Sequence, residues 1–123
     1  MLRKFSYLFL ILIGFSVFTA QPAHAAPSGH PRIDALLAAL NEPGLKFIRN
    51  GETHDGAWAK KHLTDKWNET KGVNNADDFI AKVATNSRET GKPYIIETKD
   101  GKQMPAADWF RQRLKEIDAK NKK

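Results

Sequence analysis

Apolar residues recur at helical spacing in four stretches of the chain. The clearest stretch begins at Pro31, a favourable first residue of a helix, and has apolar residues at i, i+3, i+4 and i+7. Those positions are Ile33, Leu36, Leu37 and Leu40. Similar stripes run over residues 55–67, 79–84 and 105–117. The pattern therefore predicts four helices, each with one apolar face.

Two short runs rich in β-branched and aromatic residues lie between these helices. Residues 45–49 end at Asn50-Gly51, a strong turn signal, and residues 94–98 end at Asp100-Gly101. An unpaired strand would leave backbone groups without partners, so we expect the two runs to pair. The prediction is an α+β domain, mostly helical, in the order α-β-α-α-β-α. Its small two-stranded antiparallel sheet would pack against the helices.

The first 25 residues have the pattern of a secretory signal peptide. Arg3 and Lys4 form a basic start, residues 5–20 carry no charge, and Ala23 and Ala25 occupy the small-residue positions of a cleavage site. No cysteine follows the apolar run, so a lipoprotein anchor is excluded. We expect a mature protein that begins at Ala26, resides in the periplasm and keeps no membrane anchor.

Composition narrows the class of protein further. The chain is 41% hydrophobic and 28% charged, which favours a folded globular domain, and its lack of cysteine excludes disulfide scaffolds, zinc ribbons and thiol chemistry. The formal charge of +6 falls to +4 without Arg3 and Lys4, and a basic tail at residues 120–123 supplies three of those four positive charges. We therefore predict a small basic protein with one domain over residues 26–119. No nucleic-acid partner is expected, because the body lacks a concentrated basic face.

Several short motifs occur in a fixed order along the mature chain. Residues 47–51 read Phe-Ile-Arg-Asn-Gly, residues 76–80 read Ala-Asp-Asp-Phe-Ile, and residues 90–94 read Thr-Gly-Lys-Pro-Tyr. The remaining motif residues are His62, Leu63, Lys66, Val83, Ala84 and Ser87. Together they resemble the YfeK-like family, small exported proteins of Gram-negative bacteria whose function is unknown. The resemblance covers about residues 32–117 and implies a periplasmic location, but no activity, ligand or catalytic residue.

The turn at Arg49, Asn50 and Gly51 allows two interpretations. Arg49 could clamp a carboxylate or phosphate through its planar guanidinium group. Alternatively, the turn could be purely structural, with Gly51 at positive φ and Arg49 paired to Glu97 on the neighbouring strand. In either case we expect Arg49 to lie near Tyr94 or Glu97.

His54, Trp58 and His62 fall roughly on one side of the second predicted helix. The two histidines are eight residues apart, about 12 Å along a helix, with Trp58 between them, which is too far for one metal ion. We therefore predict no metal site and no cofactor. The candidate binding residues are Arg49, Asn50, His54, Trp58, His62, Lys92 and Tyr94.

Three classes of function stay open at this point. The first is a binding or interaction module whose partner is another envelope protein or a cell-wall component. The second is a small hydrolase or nuclease that uses His54, His62 and Arg49, and the third is a small-molecule carrier. We predict the first, because the sequence contains no catalytic motif. An enzyme of this kind should place the two histidines and Arg49 around one cleft. The sequence does not determine the oligomeric state.

Overall fold

The computed structural model describes residues 30–122, so the predicted signal peptide lies outside the described residues. These residues form four helices and four strands. In chain order the elements are α1 (Pro31–Ala39), β1 (Lys46–Arg49), β2 (Glu52–Asp55), α2 (Gly56–Glu69), α3 (Ala76–Lys82), β3 (Ile95–Glu97), β4 (Gln103–Pro105) and α4 (Ala106–Asn121). No helix within residues 30–122 is both long enough and apolar enough to cross a membrane.

The four strands form one antiparallel sheet in the order β2-β1-β3-β4. The predicted pairing of the two apolar runs is confirmed, because they are the central strands β1 and β3. The prediction of only two strands is wrong, since each run is one arm of a hairpin. Asn50 and Gly51, with φ of 52° and 83°, form the tight turn that joins β1 to β2.

The fold class is α+β, as predicted, but helix is less dominant than expected. The helices contain 9, 14, 7 and 16 residues, which is about half of the described chain. The prediction of a mostly helical domain is therefore wrong. The four strands and the connecting loops account for the rest of the described residues. The last helix extends to Asn121 and so includes the start of the predicted basic tail.

Side-chain caps fix where two of the helices begin. The Asp55 carboxylate accepts a hydrogen bond of 2.8 Å from the Trp58 backbone N–H at the start of α2. The Asn75 side chain accepts a hydrogen bond of 2.8 Å from the Asp78 N–H at the start of α3. Because Asp55 ends β2 and caps α2, the edge strand leads into the helix without a loop.

The core lies between one face of the sheet and the four helices. A row of side chains crosses this face in register, from His54 through Phe47 and Ile96 to Met104. Phe47 and Ile96 are fully buried at its centre. Of the three tryptophans, Trp67 and Trp109 are buried in the core, and Trp58 is half-buried at its edge.

Candidate functional site

A cleft of about 300 Å³ opens at the end of β1, between α2 and the loop of residues 83–94. It is called the Lys66 cleft below. Its lining residues are Arg49, His62, Asp65, Lys66, Glu69, Arg88, Glu89 and Tyr94. The cleft therefore brings together a residue from β1, several from one face of α2 and three from the loop.

Side-chain hydrogen bonds tie this loop to the β1–β2 turn. Asn50 donates to the hydroxyl of buried Ser87 at 3.1 Å and accepts a hydrogen bond from the hydroxyl of Thr90. The Ser87 backbone N–H donates to the carbonyl of Lys92 at 2.9 Å, which closes the loop on itself. The turn thus holds the loop in place, with Arg88 beside the cleft. Asn50 supports the cleft from its rim.

Lys66 is a buried lysine, with only 7% of its surface exposed. Its ammonium donates hydrogen bonds to the carbonyl of Asn86 at 2.6 Å and to the hydroxyl of Tyr94 at 3.1 Å. None of the ion pairs among residues 30–122 includes it. Burial, with the charges of Arg88 and Arg49, lowers the pKa of Lys66 to about 8. A charged side chain is thus held here without a carboxylate to neutralise it.

His62 and Tyr94 extend this arrangement into a chain of hydrogen bonds. The His62 Nε2 lies 3.2 Å from the Tyr94 hydroxyl, which itself accepts from Lys66. Burial and the charge of Arg49 lower the pKa of His62, whereas burial raises the pKa of the Tyr94 phenol. The lowered pKa favours the uncharged imidazole near neutral pH. Lys66 donates to the Tyr94 hydroxyl, and the tautomer of His62 sets the direction of the hydrogen bond between His62 and Tyr94.

Arg49 lies on the helix-facing side of β1 and lines the cleft. Its guanidinium binds the Glu89 carboxylate at 2.8 Å, and its buried Nε has no hydrogen-bond partner. The predicted nearness of Arg49 to Tyr94 is confirmed, but its pairing with Glu97 is wrong. In the sheet register Glu97 lies opposite Lys46, and their side chains pair at 3.6 Å on the other face of the sheet.

His54, Trp58 and His62 form one stack along the start of α2. The His54 and Trp58 rings are 3.5 Å apart between centroids, and the Trp58 and His62 rings are 4.7 Å apart, both nearly parallel. Both faces of the indole are therefore covered by histidines. Within residues 30–122 no three His, Cys, Asp or Glu side chains gather in a way that could hold a metal ion.

The structure brings only part of the predicted set of binding residues together. Arg49, His62 and Tyr94 line the cleft, whereas Lys92 is exposed and does not. Asn50 lies at the rim, and Trp58 and His54 extend away from the cleft along the stack. Sequence reasoning missed two cations of the cleft as site residues, Lys66 and Arg88.

A second, larger groove of about 620 Å³ lies between the β3–β4 turn and α4. Its basic side chains include exposed Lys99 and Lys102, together with Arg113. Arg113 is already neutralised by Glu116 at 2.8 Å and Glu42 at 3.7 Å. This groove is therefore larger than the Lys66 cleft, but both of its lysines are exposed, whereas Lys66 is buried.

Comparison with known proteins places the chain in a family. Over 77 residues it is 43% identical to the "Uncharacterized protein YfeK" of Salmonella typhimurium. That match covers 59% of this chain and 64% of the relative, so the chain spans less than two thirds of the relative's length. No solved structure matches it. A family model matches residues 27–118, and the chain therefore belongs to DUF5329, a family of unknown function.

Proposed function

We propose that this chain is a small periplasmic binding protein of the cell envelope that recognises a ligand through an anionic group, a carboxylate or a phosphate. The group would be held in the Lys66 cleft. The observation that carries this proposal is the convergence of Arg49, Lys66 and Arg88 on one small cleft. Lys66 is buried there with hydrogen bonds only to uncharged oxygens.

The electrostatics of the cleft support an anionic ligand. After burial, the largest causes that lower the pKa of Lys66 are the charges of Arg88 and Arg49. The charges of Arg49 and Lys66 likewise contribute to lowering the pKa of His62. Both shifts indicate that Lys66 and His62 feel mainly their cationic neighbours, although Asp65, Glu69 and Glu89 also line the cleft. An anion bound there would relieve this repulsion.

The contact between Arg49 and Glu89 supports a carboxylate as one suitable group. Glu89 already places a carboxylate oxygen 2.8 Å from the Arg49 guanidinium. The Glu89 side chain is 71% exposed, so its ion pair contributes little to stability, about 0–1 kcal/mol. A ligand carboxylate or phosphate could therefore displace Glu89 from Arg49 at small cost.

The hydrolase or nuclease alternative has less support from the geometry. That function would use His54, His62 and Arg49 around one cleft. His62 and Arg49 do line the Lys66 cleft, but Trp58 stacks between His62 and His54. A binding function needs only the converging cations and hydrogen-bond donors.

Substitution of Arg49 tests the proposed binding site. We expect Arg49→Lys to weaken binding of sulfate and acetate about fivefold or more, because lysine lacks the planar group that holds two oxygens at once. Arg49→Ala should weaken binding further, while Glu89→Gln should strengthen it by removing the competing carboxylate. Amide chemical shifts measured by NMR during titration, with chloride at equal ionic strength as the reference, give these affinities.

Lys92→Ala is the matched control for Arg49→Ala, because Lys92 is an exposed cation of the loop of residues 83–94 that does not line the cleft. It should leave both affinities unchanged. Equal affinities for the wild type, Arg49→Ala and Lys92→Ala, with unchanged melting curves, would contradict the proposed site.

The periplasmic location is tested by the N-terminus of the exported protein. We expect the periplasmic fraction of a Gram-negative host to contain a chain that begins at Ala26, because cleavage after Ala25 satisfies the small-residue rule. Intact-mass measurement identifies this terminus. A membrane-bound chain that retains residues 5–20 would argue against export as a soluble protein.

A further inference from the structure

Among residues 30–122, Lys66 is the only buried lysine, and it lines a cleft that opens to solvent. Its amine is held between the Asn86 carbonyl and the Tyr94 hydroxyl, so its position is fixed by two contacts. Lysines whose charge is opposed by burial and by neighbouring cations are the ones that act as nucleophiles toward carbonyl groups. The position of Lys66 therefore suggests covalent chemistry as well as charge recognition.

We propose that Lys66 forms a reversible Schiff base with small aldehydes or ketones that carry a carboxylate or phosphate group. This inference rests on the proposed function for the anionic part of the ligand. Arg49 and Arg88 would bind the anionic group, and the Lys66 amine would reach the carbonyl carbon. The cleft volume of about 300 Å³ limits the ligand to a small molecule, such as an oxo acid or a phosphorylated aldehyde.

The chemical step balances within the cleft. The neutral amine nitrogen bonds to the carbonyl carbon, and the carbonyl oxygen leaves as water with the two amine protons. Both protons must move from nitrogen to oxygen, the first as the carbinolamine forms and the second as water leaves. The Tyr94 hydroxyl lies 3.1 Å from the amine and can relay these protons, and His62 at 3.2 Å orients the hydroxyl.

The protonation state of Lys66 favours this reaction near neutral pH. With a pKa of about 8, about a tenth of the amine is unprotonated at pH 7. For an ordinary lysine the unprotonated fraction is below about one in a thousand. Burial and the charges of Arg88 and Arg49 set this balance. The other titratable groups that line the cleft are His62, Asp65 and Glu69 from α2, and Glu89 and Tyr94 from the loop of residues 83–94.

Reductive trapping tests this inference directly. The mature chain is incubated at pH 7 with glyoxylate or pyridoxal phosphate, the imine is reduced with cyanoborohydride, and peptide mass spectrometry gives the modified fraction of each lysine. We expect Lys66 to be modified at least tenfold faster than Lys60 and Lys61, which are exposed on the same helix. Pyridoxal, which lacks the phosphate, should modify Lys66 much more slowly. Glyoxylate and pyridoxal phosphate distinguish a carboxylate ligand from a phosphate ligand.

Two variants separate the amine from its surroundings. Lys66→Arg should abolish the adduct while keeping a positive charge for sulfate binding. Tyr94→Phe should keep the amine but slow trapping about tenfold, because the proton relay is lost. Melting curves establish that each variant folds.

Equal modification of all lysines in the folded wild type would overturn the Schiff-base inference. If sulfate still binds in that case, the proposed anion-binding function stands without the covalent step. If sulfate binding is also absent, both proposals fail.

Discussion

Replacing Lys66 with methionine is expected to raise the melting temperature and to abolish sulfate binding. Methionine fills a similar volume without placing a charge in a buried position, and it adapts its shape to the space available. Asn86 is exposed, so water can satisfy its carbonyl, and Tyr94 keeps His62 as a partner. We expect a gain of about 1–2 kcal/mol in the free energy of unfolding at pH 7, which is roughly 5–10 °C in a domain of this size.

The pH dependence of this gain has a definite direction. The pKa of Lys66 is about 8 in the folded chain and near the ordinary value of 10.5 in the unfolded chain. Between these values the unfolded chain binds more protons, so the stability of the wild type rises with pH. The advantage of Lys66→Met should therefore be largest below pH 8 and shrink between pH 8 and 10.5. Thermal melts monitored by circular dichroism across this range measure it.

Lys60→Met is the matched control, because Lys60 is exposed on the same helix. It should change neither stability nor sulfate binding. A Lys66→Met variant that is several degrees less stable than the wild type would mean that Lys66 stabilises the fold. That result would remove the main argument for a functional role.

Replacing Gly56 with alanine is expected to cost roughly 3 kcal/mol or more in stability. Gly56 is the first residue of α2, and a methyl group there would lie 1.9 Å from the backbone carbonyl oxygen of Leu40. Both clashing atoms are attached to backbone, so no side chain can move aside to relieve the contact. The ends of α1 and α2 would have to separate. Urea denaturation gives the change in the free energy of unfolding.

Gly51→Ala provides the comparison for Gly56→Ala. Gly51 has a positive φ of 83°, but a methyl group there meets no atom within 4 Å. Its cost should come from backbone conformation alone, about 1–2 kcal/mol. If Gly56→Ala lowers the free energy of unfolding no more than Gly51→Ala does, then Gly56 and the Leu40 carbonyl are not in such close contact.

The central part of the fold is predictable from sequence because its signals are strong and local. The apolar stripe of α1 and the Asn50-Gly51 turn both indicate the elements that the structure contains. The edge strands β2 and β4 are not predictable in the same way. No residue of β2 or β4 is buried, so neither strand shows the alternation of apolar and polar residues that marks a half-buried strand. In addition, β4 ends at Pro105, a residue that is rare inside strands. Their pairing depends on the neighbouring strands rather than on their own residues.

The candidate site is predictable only in part, because its cations come from distant segments. Lys66 does leave a signal, since it lies between Leu63 and Trp67 on the buried stripe of α2. A lysine within an apolar stripe must find polar partners elsewhere in the fold. Arg88 leaves no such signal, because its position depends on contacts with Glu69 and Thr70 at the end of α2 and on the placement of its loop.

The pKa of the Lys66 amine, measured by NMR on the side-chain carbon next to the nitrogen, tests the account most directly. In sodium chloride the amine should titrate near pH 8 rather than at the ordinary value of 10.5. Saturating sulfate at the same ionic strength should move this titration to higher pH, because a bound anion stabilises the ammonium form. An amine that titrates near 10.5 and does not respond to sulfate would contradict both the buried charge and the proposed anion site.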